Sequence, residues 1–349
     1  MYGMTVQDLF EDEPPQAAPA ACEEFIPKLD EYESAICFNS GGKDSIACVL
    51  HLLELGMPRS KIEIHHHLVD GDDDQLMEWP VTRDYTRKFA AAFGLRYVES
   101  WRVGGFRREM LRENAQTAPV AVPMPDGTHL ITGGDRSKCS TRRKFPQVSP
   151  DLRVRWCSSS LKIECASRYF STNPIFQDGR KRLVITGERA EESANRAHYK
   201  GFEPSRSDNR GGKFVDRYLD QWRAVHAWPE QRVWDILKRW KVCPHPAYYI
   251  GLGRASCAHC LFSSDNQIAT MRFLDPKGHT EIANYEREFG VTIHRNLSIG
   301  ARADKGEVLA GAYTDWGRIA MSATFDHPIF VDDWQLPPGA MSRECAGPT

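Results

Sequence analysis

One six-residue stretch constrains the fold of this chain more than any other. It reads Ser40-Gly41-Gly42-Lys43-Asp44-Ser45. The apolar residues 34–38 before it are typical of a buried parallel strand, and residues 46–55 after it predict a helix that Gly56 ends. Glycines let backbone N–H groups approach a ligand, and the beginning of a helix adds about half a positive charge. Together with the charge of Lys43, this arrangement predicts a phosphate-binding turn.

The next segments repeat the alternation of strand and helix. Residues 62–71 and 95–100 predict strands, residues 82–93 predict a helix, and residues 183–187 predict a fourth strand. This order favours an α/β fold with a doubly wound, mainly parallel, Rossmann-like sheet. We further expect long loops at 104–150 and 200–216, and a strand with a turn at 222–228.

Composition limits the class of protein. The chain has 349 residues, of which 41% are hydrophobic, and a net charge of −2, so neither a nucleic-acid nor a membrane partner is indicated globally. No apolar run reaches the ~20 residues of a membrane span, and no signal peptide is evident, so we expect a cytoplasmic protein. The expected units are a flexible tail (1–24), a nucleotide-binding α/β domain (25–240) and a smaller cysteine-containing C-terminal region (241–349).

A second group of polar residues follows the fourth strand. Gly187, Arg189 and Glu192 lie where a strand end leads into a glycine turn, so Arg189 could meet a phosphate held by the first loop. Glu192 could fix that arginine or bind a metal-bound water. By composition alone, an ordinary charged helix surface is the competing interpretation.

The cysteines form a third group, because the chain has ten and no secretory signal. Cys257-x-x-Cys260 on a turn can share one metal or cluster, with Cys157 and Cys243 as the candidate partners and His245 and His259 behind them. Four thiolates suit a [4Fe-4S] cluster, and a mixed Cys/His set suits Zn²⁺. A structural pair without metal remains the alternative.

Several motifs together resemble a known family. The phosphate loop resembles the PP-loop of the ATP pyrophosphatases, within the adenine nucleotide alpha hydrolase-like superfamily. The segments Gly187-x-Arg189-x-x-Glu192-Ser193, Arg155-Trp156-Cys157 and Arg254-x-Ser256-Cys257-x-x-Cys260 are similar to the phosphoadenosine phosphosulfate (PAPS) reductase family. In particular, they resemble the PAPS-reductase-like proteins common in bacteria and their phages, and the ATPase of DNA phosphorothioation. The resemblance runs from about Ile36 to Phe273.

The resemblance implies roles for individual residues. Ser40 to Ser45 would hold the phosphates of an adenine nucleotide, and Asp70 would help to bind Mg²⁺. Gly187, Arg189 and Glu192 would form the opposite wall, and Lys162 would reach the phosphates or sulfate of the substrate. Lys43, Asp44, Lys162 and Arg189 are the expected catalytic residues. Cys157, Cys243, Cys257 and Cys260 would hold the cluster; relatives carry adjacent cysteines at the upstream position, whereas Ser158 follows Cys157 here.

The expected activity is cleavage of ATP to AMP and pyrophosphate, coupled to sulfur transfer. One alternative is a PAPS or adenylyl-sulfate reductase that forms sulfite, for which Cys345 in the C-terminal Glu-Cys would be the thiol. An alternative of another class is a non-catalytic nucleotide-sensing or nucleic-acid-binding module, supported by basic loops at 107–144 and 200–217. Expected partners are a sulfur donor or reductant protein, an acceptor that could be a nucleic acid, and a second copy in a homo-oligomer.

Overall fold

A computed structural model describes residues 24–72, 75–135, 137–149 and 151–342. Its strands are β1 Ser34–Phe38, β2 Ile62–Leu68, β3 Arg96–Arg102, β4 Val120–Pro123, β5 His129–Thr132, β6 Lys181–Ile185, β7 Phe202–Pro204 and β8 Tyr218–Trp222. They form one sheet in the order β5-β4-β3-β2-β1-β6-β8-β7. The five neighbouring strands β3, β2, β1, β6 and β8 pair in parallel. Strands β4, β5 and β7 add antiparallel pairs at the two edges. The predicted α/β class with a mainly parallel sheet is confirmed.

Helices cover both faces of this sheet. They are α1 Lys43–Glu54, α2 Thr82–Ala92, α3 Gly105–Leu111, α4 Trp156–Ser158, α5 Glu164–Thr172, α6 Ala194–Ala197, α7 Glu230–Arg239, α8 Pro246–Ile250, α9 Asp265–Leu274, α10 Pro276–Phe289, α11 Ile299–Ala303 and α12 Asp315–Ala320. A π-helical turn, Ser159–Ile163, joins α4 to α5. Within the described ranges, no helix is long and apolar enough to cross a membrane.

Strand β1 lies between β2 and β6, and alternate residues of β1 enter different cores. Ala35 and Cys37 belong to the larger hydrophobic cluster on one face, and Ile36 belongs to the cluster on the other face. Since side chains alternate along a strand, this burial on both faces explains the continuous apolar run of β1. The chain adds β2 and β3 on one side of β1 and later adds β6 and β8 on the other side. In such sheets, ligands bind beyond the carboxyl end of the strand at which the strand order reverses.

The larger hydrophobic cluster crosses the predicted domain boundary at 240/241. It joins sheet residues to Cys243, Tyr248 and Phe325 of the C-terminal region. The described part of the C-terminal region thus packs directly on the α/β domain. Residues 1–23, which make up almost all of the predicted tail, and Cys345 lie outside the described residues.

Two local predictions were wrong. The region 104–150, predicted as a loop, contains α3 and the hairpin of β4 and β5, whose strands have only four residues each. The strand predicted at 222–228 ends at Trp222 and begins at Tyr218, and β7 falls inside the predicted loop 200–216. Such short edge strands carry little alternation of apolar and polar residues, so their sequence signal is weak.

Candidate functional site

The phosphate loop lies at the carboxyl end of β1, where the sheet topology places a ligand site. Gly41 has a φ of +76°, which favours glycine, and its N–H donates to Asn39 Oδ1 at 2.7 Å. The hydroxyl of Ser45 donates to Gly42 O at 2.9 Å and lies 3.1 Å from the same Asn39 oxygen. In the described chain, the backbone N–H groups of Gly42, Asp44 and Ser45 have no protein acceptor. They are available to an anion at the beginning of α1.

Lys43 lies beneath this loop and does not line the cleft. Its side chain is 4% exposed, and its ammonium donates to Gly253 O at 3.2 Å and lies 3.5 Å from carboxylate oxygens of Asp44 and Glu230. Burial lowers the pKa of Lys43, but Asp44, Tyr248 and Glu230 together outweigh this effect and the net pKa is raised. The residue that the sequence predicted as a direct phosphate ligand therefore supports the loop from behind.

Arg189 is placed in a similar way. Its guanidinium is 4% exposed and donates to Asp44 Oδ1 at 2.6 Å and to Glu191 at 2.5 Å. Burial raises the pKa of Asp44, but the charges of Lys43 and Arg189 hold it below the ordinary value. Asp44 is thus an ionised carboxylate held between two buried cations, with its edge open to the cleft.

Gly187 brings the end of β6 against the first turn of α1. A Cβ at Gly187 would lie 3.0 Å from the carbonyl carbon of Asp44 and 3.0 Å from the nitrogen of Ser45. Glycine at this position therefore permits a close approach of the two backbones. Glu192 lies nearby, where its carboxylate accepts from Arg189 N and pairs with Arg196 and with Arg254, the latter at 3.3 Å. The structure brings the first and second predicted groups to one place.

These elements surround a cleft of about 960 Å³. The phosphate loop and Gly187 form part of its wall, and Cys157, Cys257 and Cys260 form another part. Charged side chains between the walls include Glu78, Arg155, Lys162, Glu192, Arg196 and Arg254. This volume accommodates a nucleotide-sized ligand, and such convergent polar groups are typical of small-molecule sites.

Cys157, Cys257 and Cys260 form the thiol wall together with Lys162. Cys157 is in α4, and Lys162 lies on the π-helical turn that follows it. Burial and the neighbouring Cys260 raise the pKa of Cys157 to about 11. Burial lowers the pKa of Lys162, but the sulfur atoms and Glu78 outweigh it and the pKa is raised. Lys162 is thus an exposed cation of the cleft that interacts electrostatically with the three sulfur atoms.

The turn with Cys257 and Cys260 is tied firmly to its surroundings. Gln267 donates to the carbonyls of Cys257 and Ala258, and the indole of Trp79 donates to Ser256 O at 2.9 Å. His259 Nε2 lies 3.0 Å from Asp275 Oδ2. His259 thus points away from the thiols and anchors the turn to the beginning of α10.

Cys243, the predicted fourth ligand, lies elsewhere. Its thiol is buried in the larger hydrophobic cluster, 3.8 Å from the hydroxyl of Tyr249, and its N–H donates to Ile329 O at 2.8 Å. The structure does not bring Cys243 or His245 to the other three cysteines. The spacing of the cysteines could not reveal this, because distant residues such as Ile329 hold Cys243 in the core.

Three thiols therefore remain as donors for a cluster. Within the described ranges, no three His, Cys, Asp or Glu side chains are close enough to hold a single metal ion. The arrangement is thus not a preformed zinc site of the mixed Cys/His type. Cys157, Cys257 and Cys260 are soft thiol donors that line the same cleft.

Asp70, the predicted Mg²⁺ ligand, does not line the cleft. It is buried, and its Oδ2 accepts from the N–H groups of Met77 and Glu78 at 2.8 Å each. Burial and the nearby Glu78 raise the pKa of Asp70 to about 6. Asp70 thereby positions Glu78, whose carboxylate reaches the cleft beside Lys162.

Comparisons with known proteins leave the family open. Protein-family models and curated proteins give no match. Among solved structures, Candida glabrata FMN adenylyltransferase in complex with ATP has a TM-score of 0.33 and 15% identity, covering 63% of this chain and 51% of that chain. The same enzyme with FAD and inorganic pyrophosphate has a TM-score of 0.36 and 14% identity, covering 90% and 80%. This chain thus spans about half the length of the first of these proteins, and at such scores the likeness supports no statement about function.

Sequence reasoning missed three residues of the cleft. Arg254 stands in the segment that resembles PAPS reductases, so the motif could have indicated it. Glu78 and Tyr248 come from segments without a motif. Only the fold brings Tyr248, in α8, back to the beginning of α1, where its hydroxyl accepts from Lys43 N at 2.9 Å.

Proposed function

We propose that this chain is an enzyme that binds an adenine nucleotide and uses it to activate an acceptor for sulfur chemistry. One observation carries the proposal: the phosphate loop and the thiols of Cys157, Cys257 and Cys260 open into the same cleft. Nucleotide phosphates would accept hydrogen bonds from the free N–H groups at the beginning of α1. Arg254 supplies a cation from the neighbouring wall.

The reaction would proceed in two steps. An acceptor oxygen attacks the α-phosphorus of ATP, the bond from the α-phosphorus to the bridging oxygen breaks, and pyrophosphate leaves. A sulfur nucleophile then attacks the adenylated carbon or phosphorus, and AMP leaves with the acceptor oxygen. The N–H groups and α1 would stabilise charge on the departing pyrophosphate, and Lys162 would favour a thiolate on the opposite wall.

Metal groups would complete the site. Mg²⁺ binds through one or two carboxylates plus phosphates in such enzymes, and Asp44, ionised and facing the cleft, fits that role better than Asp70. An iron–sulfur cluster would be held by Cys157, Cys257 and Cys260, and would bind sulfur or supply electrons. Without a cluster, the same cysteines would act as thiols.

The nucleic-acid-binding alternative has less support than its sequence suggested. In the predicted basic loop 107–144, Arg107 pairs with Glu281, Arg142 with the buried Glu109, and Arg143 with Glu113. These arginines neutralise carboxylates of the chain itself. The reductase alternative differs in needing a sulfonucleotide and an external reductant.

The test is anaerobic purification followed by assays with ATP. We expect bound iron and acid-labile sulfide, and release of pyrophosphate and AMP once the acceptor is supplied. Arg254→Ala should weaken ATP binding roughly tenfold or more, because a hydrogen-bonded charge is lost, whereas the exposed Arg318→Ala should not. No nucleotide binding by the wild-type protein would refute the proposal, and sulfite production from PAPS would favour the reductase.

A further inference from the structure

The hydroxyl of Tyr248 carries an inference that rests on, and deepens, the proposed nucleotide site. Tyr248 is 1% exposed as a residue and lines the cleft beside the phosphate loop. Its ring packs edge to face on Trp234, and the ammonium of Lys43 lies 5.6 Å from the ring centre. The position of this side chain is therefore fixed by packing.

The hydroxyl of Tyr248 accepts a hydrogen bond but does not donate one within the described chain. A phenol can accept two hydrogen bonds and donate one. The oxygen of Tyr248 accepts from Lys43 N at 2.9 Å. No acceptor for the hydroxyl proton lies within hydrogen-bond reach in the described chain. A buried donor without an acceptor costs about 1–3 kcal/mol.

The hydroxyl of Tyr248 lies next to the phosphate loop, where its proton could reach a bound ligand. The hydroxyl oxygen lies 3.6 Å from the position of a Cβ on Gly42, and Ser40 Oγ lies 3.5 Å from the same position. Because the oxygen accepts from the N–H of Lys43, the O–H bond points away from that group. The open side next to Gly42 is the cleft.

We propose that Tyr248 is a ligand-binding residue that donates its hydroxyl proton to a phosphate oxygen held at Gly42, Asp44 and Ser45. It would discriminate phosphorylated ligands from unphosphorylated ones, since a phosphate oxygen is a charged acceptor and strengthens the bond. The same hydroxyl that accepts from α1 would then link the helix to the anion.

The test compares two neighbouring tyrosines. Tyr248→Phe should weaken binding of inorganic pyrophosphate and of ATP roughly tenfold or more, and leave adenosine binding unchanged, as measured by calorimetry. Tyr249→Phe is the matched control, because the ring of Tyr249 stacks on Trp316 at 3.8 Å and lies outside the cleft. It should bind all three ligands like the wild-type protein.

Two results would overturn the inference: unchanged pyrophosphate affinity in Tyr248→Phe, or an equal loss of adenosine affinity, which indicates a structural effect. Should Tyr248→Phe fail to fold, 3-fluorotyrosine at position 248 keeps the oxygen and makes the hydroxyl a stronger donor. It should bind pyrophosphate at least as tightly as the wild-type protein, and weaker binding would refute the inference. If wild-type protein binds pyrophosphate through Tyr248 but never cleaves ATP, the proposed function fails while this inference stands.

Discussion

Gly187→Ala tests the contact between the two groups of residues that the sequence singled out. The added Cβ would meet backbone atoms of Asp44 and Ser45 at 3.0–3.1 Å. None of these backbone atoms can rotate away, as the end of a long side chain could. The first turn of α1, or the end of β6, must therefore move by a few tenths of an ångström.

The cost follows from that displacement. Inserting a methyl group into a tightly packed contact costs about 1–3 kcal/mol. Since one of the displaced atoms is Ser45 N, which bears a free N–H group of the phosphate loop, part of the cost should appear as weaker binding of phosphate. We expect the free energy of unfolding to fall by about 1–2 kcal/mol and pyrophosphate affinity to fall roughly tenfold.

Urea unfolding and calorimetric titration with pyrophosphate measure the two quantities. Gly201→Ala is the matched control, because no atom lies within 4 Å of its Cβ position. That variant should differ from the wild-type protein by no more than about 0.5 kcal/mol in unfolding. Wild-type stability and wild-type pyrophosphate affinity in Gly187→Ala would refute the close contact.

Three further variants test residues that the structure moved away from their predicted roles. Because folding raises the pKa of Asp70 to about 6, the wild-type protein loses stability as pH rises from about 4 to 6, whereas Asp70→Asn does not. The free energy of unfolding of Asp70→Asn, measured in urea, should therefore rise by about 3 kcal/mol relative to that of the wild-type protein over that range. A difference that does not change with pH would contradict this. Cys243→Ala should lower the free energy of unfolding by about 1–2 kcal/mol and leave the amount of bound iron unchanged. Cys257→Ala should reduce the amount of bound iron. A loss of iron in Cys243→Ala would show that Cys243 is a ligand after all. Lys43→Met should destabilise the fold by about 3 kcal/mol, because the carboxylates of Asp44 and Glu230 lose their buried partner, and a wild-type midpoint in urea would show that the ammonium is not needed there.

The local pattern around β1 predicted the fold class and the position of the phosphate loop. A buried strand, a glycine at positive φ and a helix are all specified within about twenty residues, so no distant contact was required. Gly187 and Glu192 also lie beside the loop as expected, because neighbouring parallel strands end at the same edge of the sheet. Local sequence and simple topology thus suffice for this part of the site.

The thiol wall shows where such reasoning stops. Cys257 and Cys260 are linked by sequence, and Cys157 joins them because all three pack against a further hydrophobic cluster that includes Trp156 and Leu261. Cys243 is also close to Cys257 in the sequence, yet it is buried in the larger hydrophobic cluster. Which cluster a cysteine joins depends on contacts more than eighty residues away, such as that between Cys243 N and Ile329 O. No periodicity in the sequence encodes this choice.

The two cations of the predicted phosphate site explain what the motif does in this protein. Lys43 and Arg189 are buried on the far side of Asp44, so they neutralise a carboxylate that would otherwise repel phosphate. Positive potential at the cleft then comes from the free N–H groups of α1, from Arg254 and from Lys162. A phosphate at the loop would meet neutral donors there, the hydroxyl of Tyr248 among them, and Arg254 and Lys162 are charged groups elsewhere along the lining of the cleft.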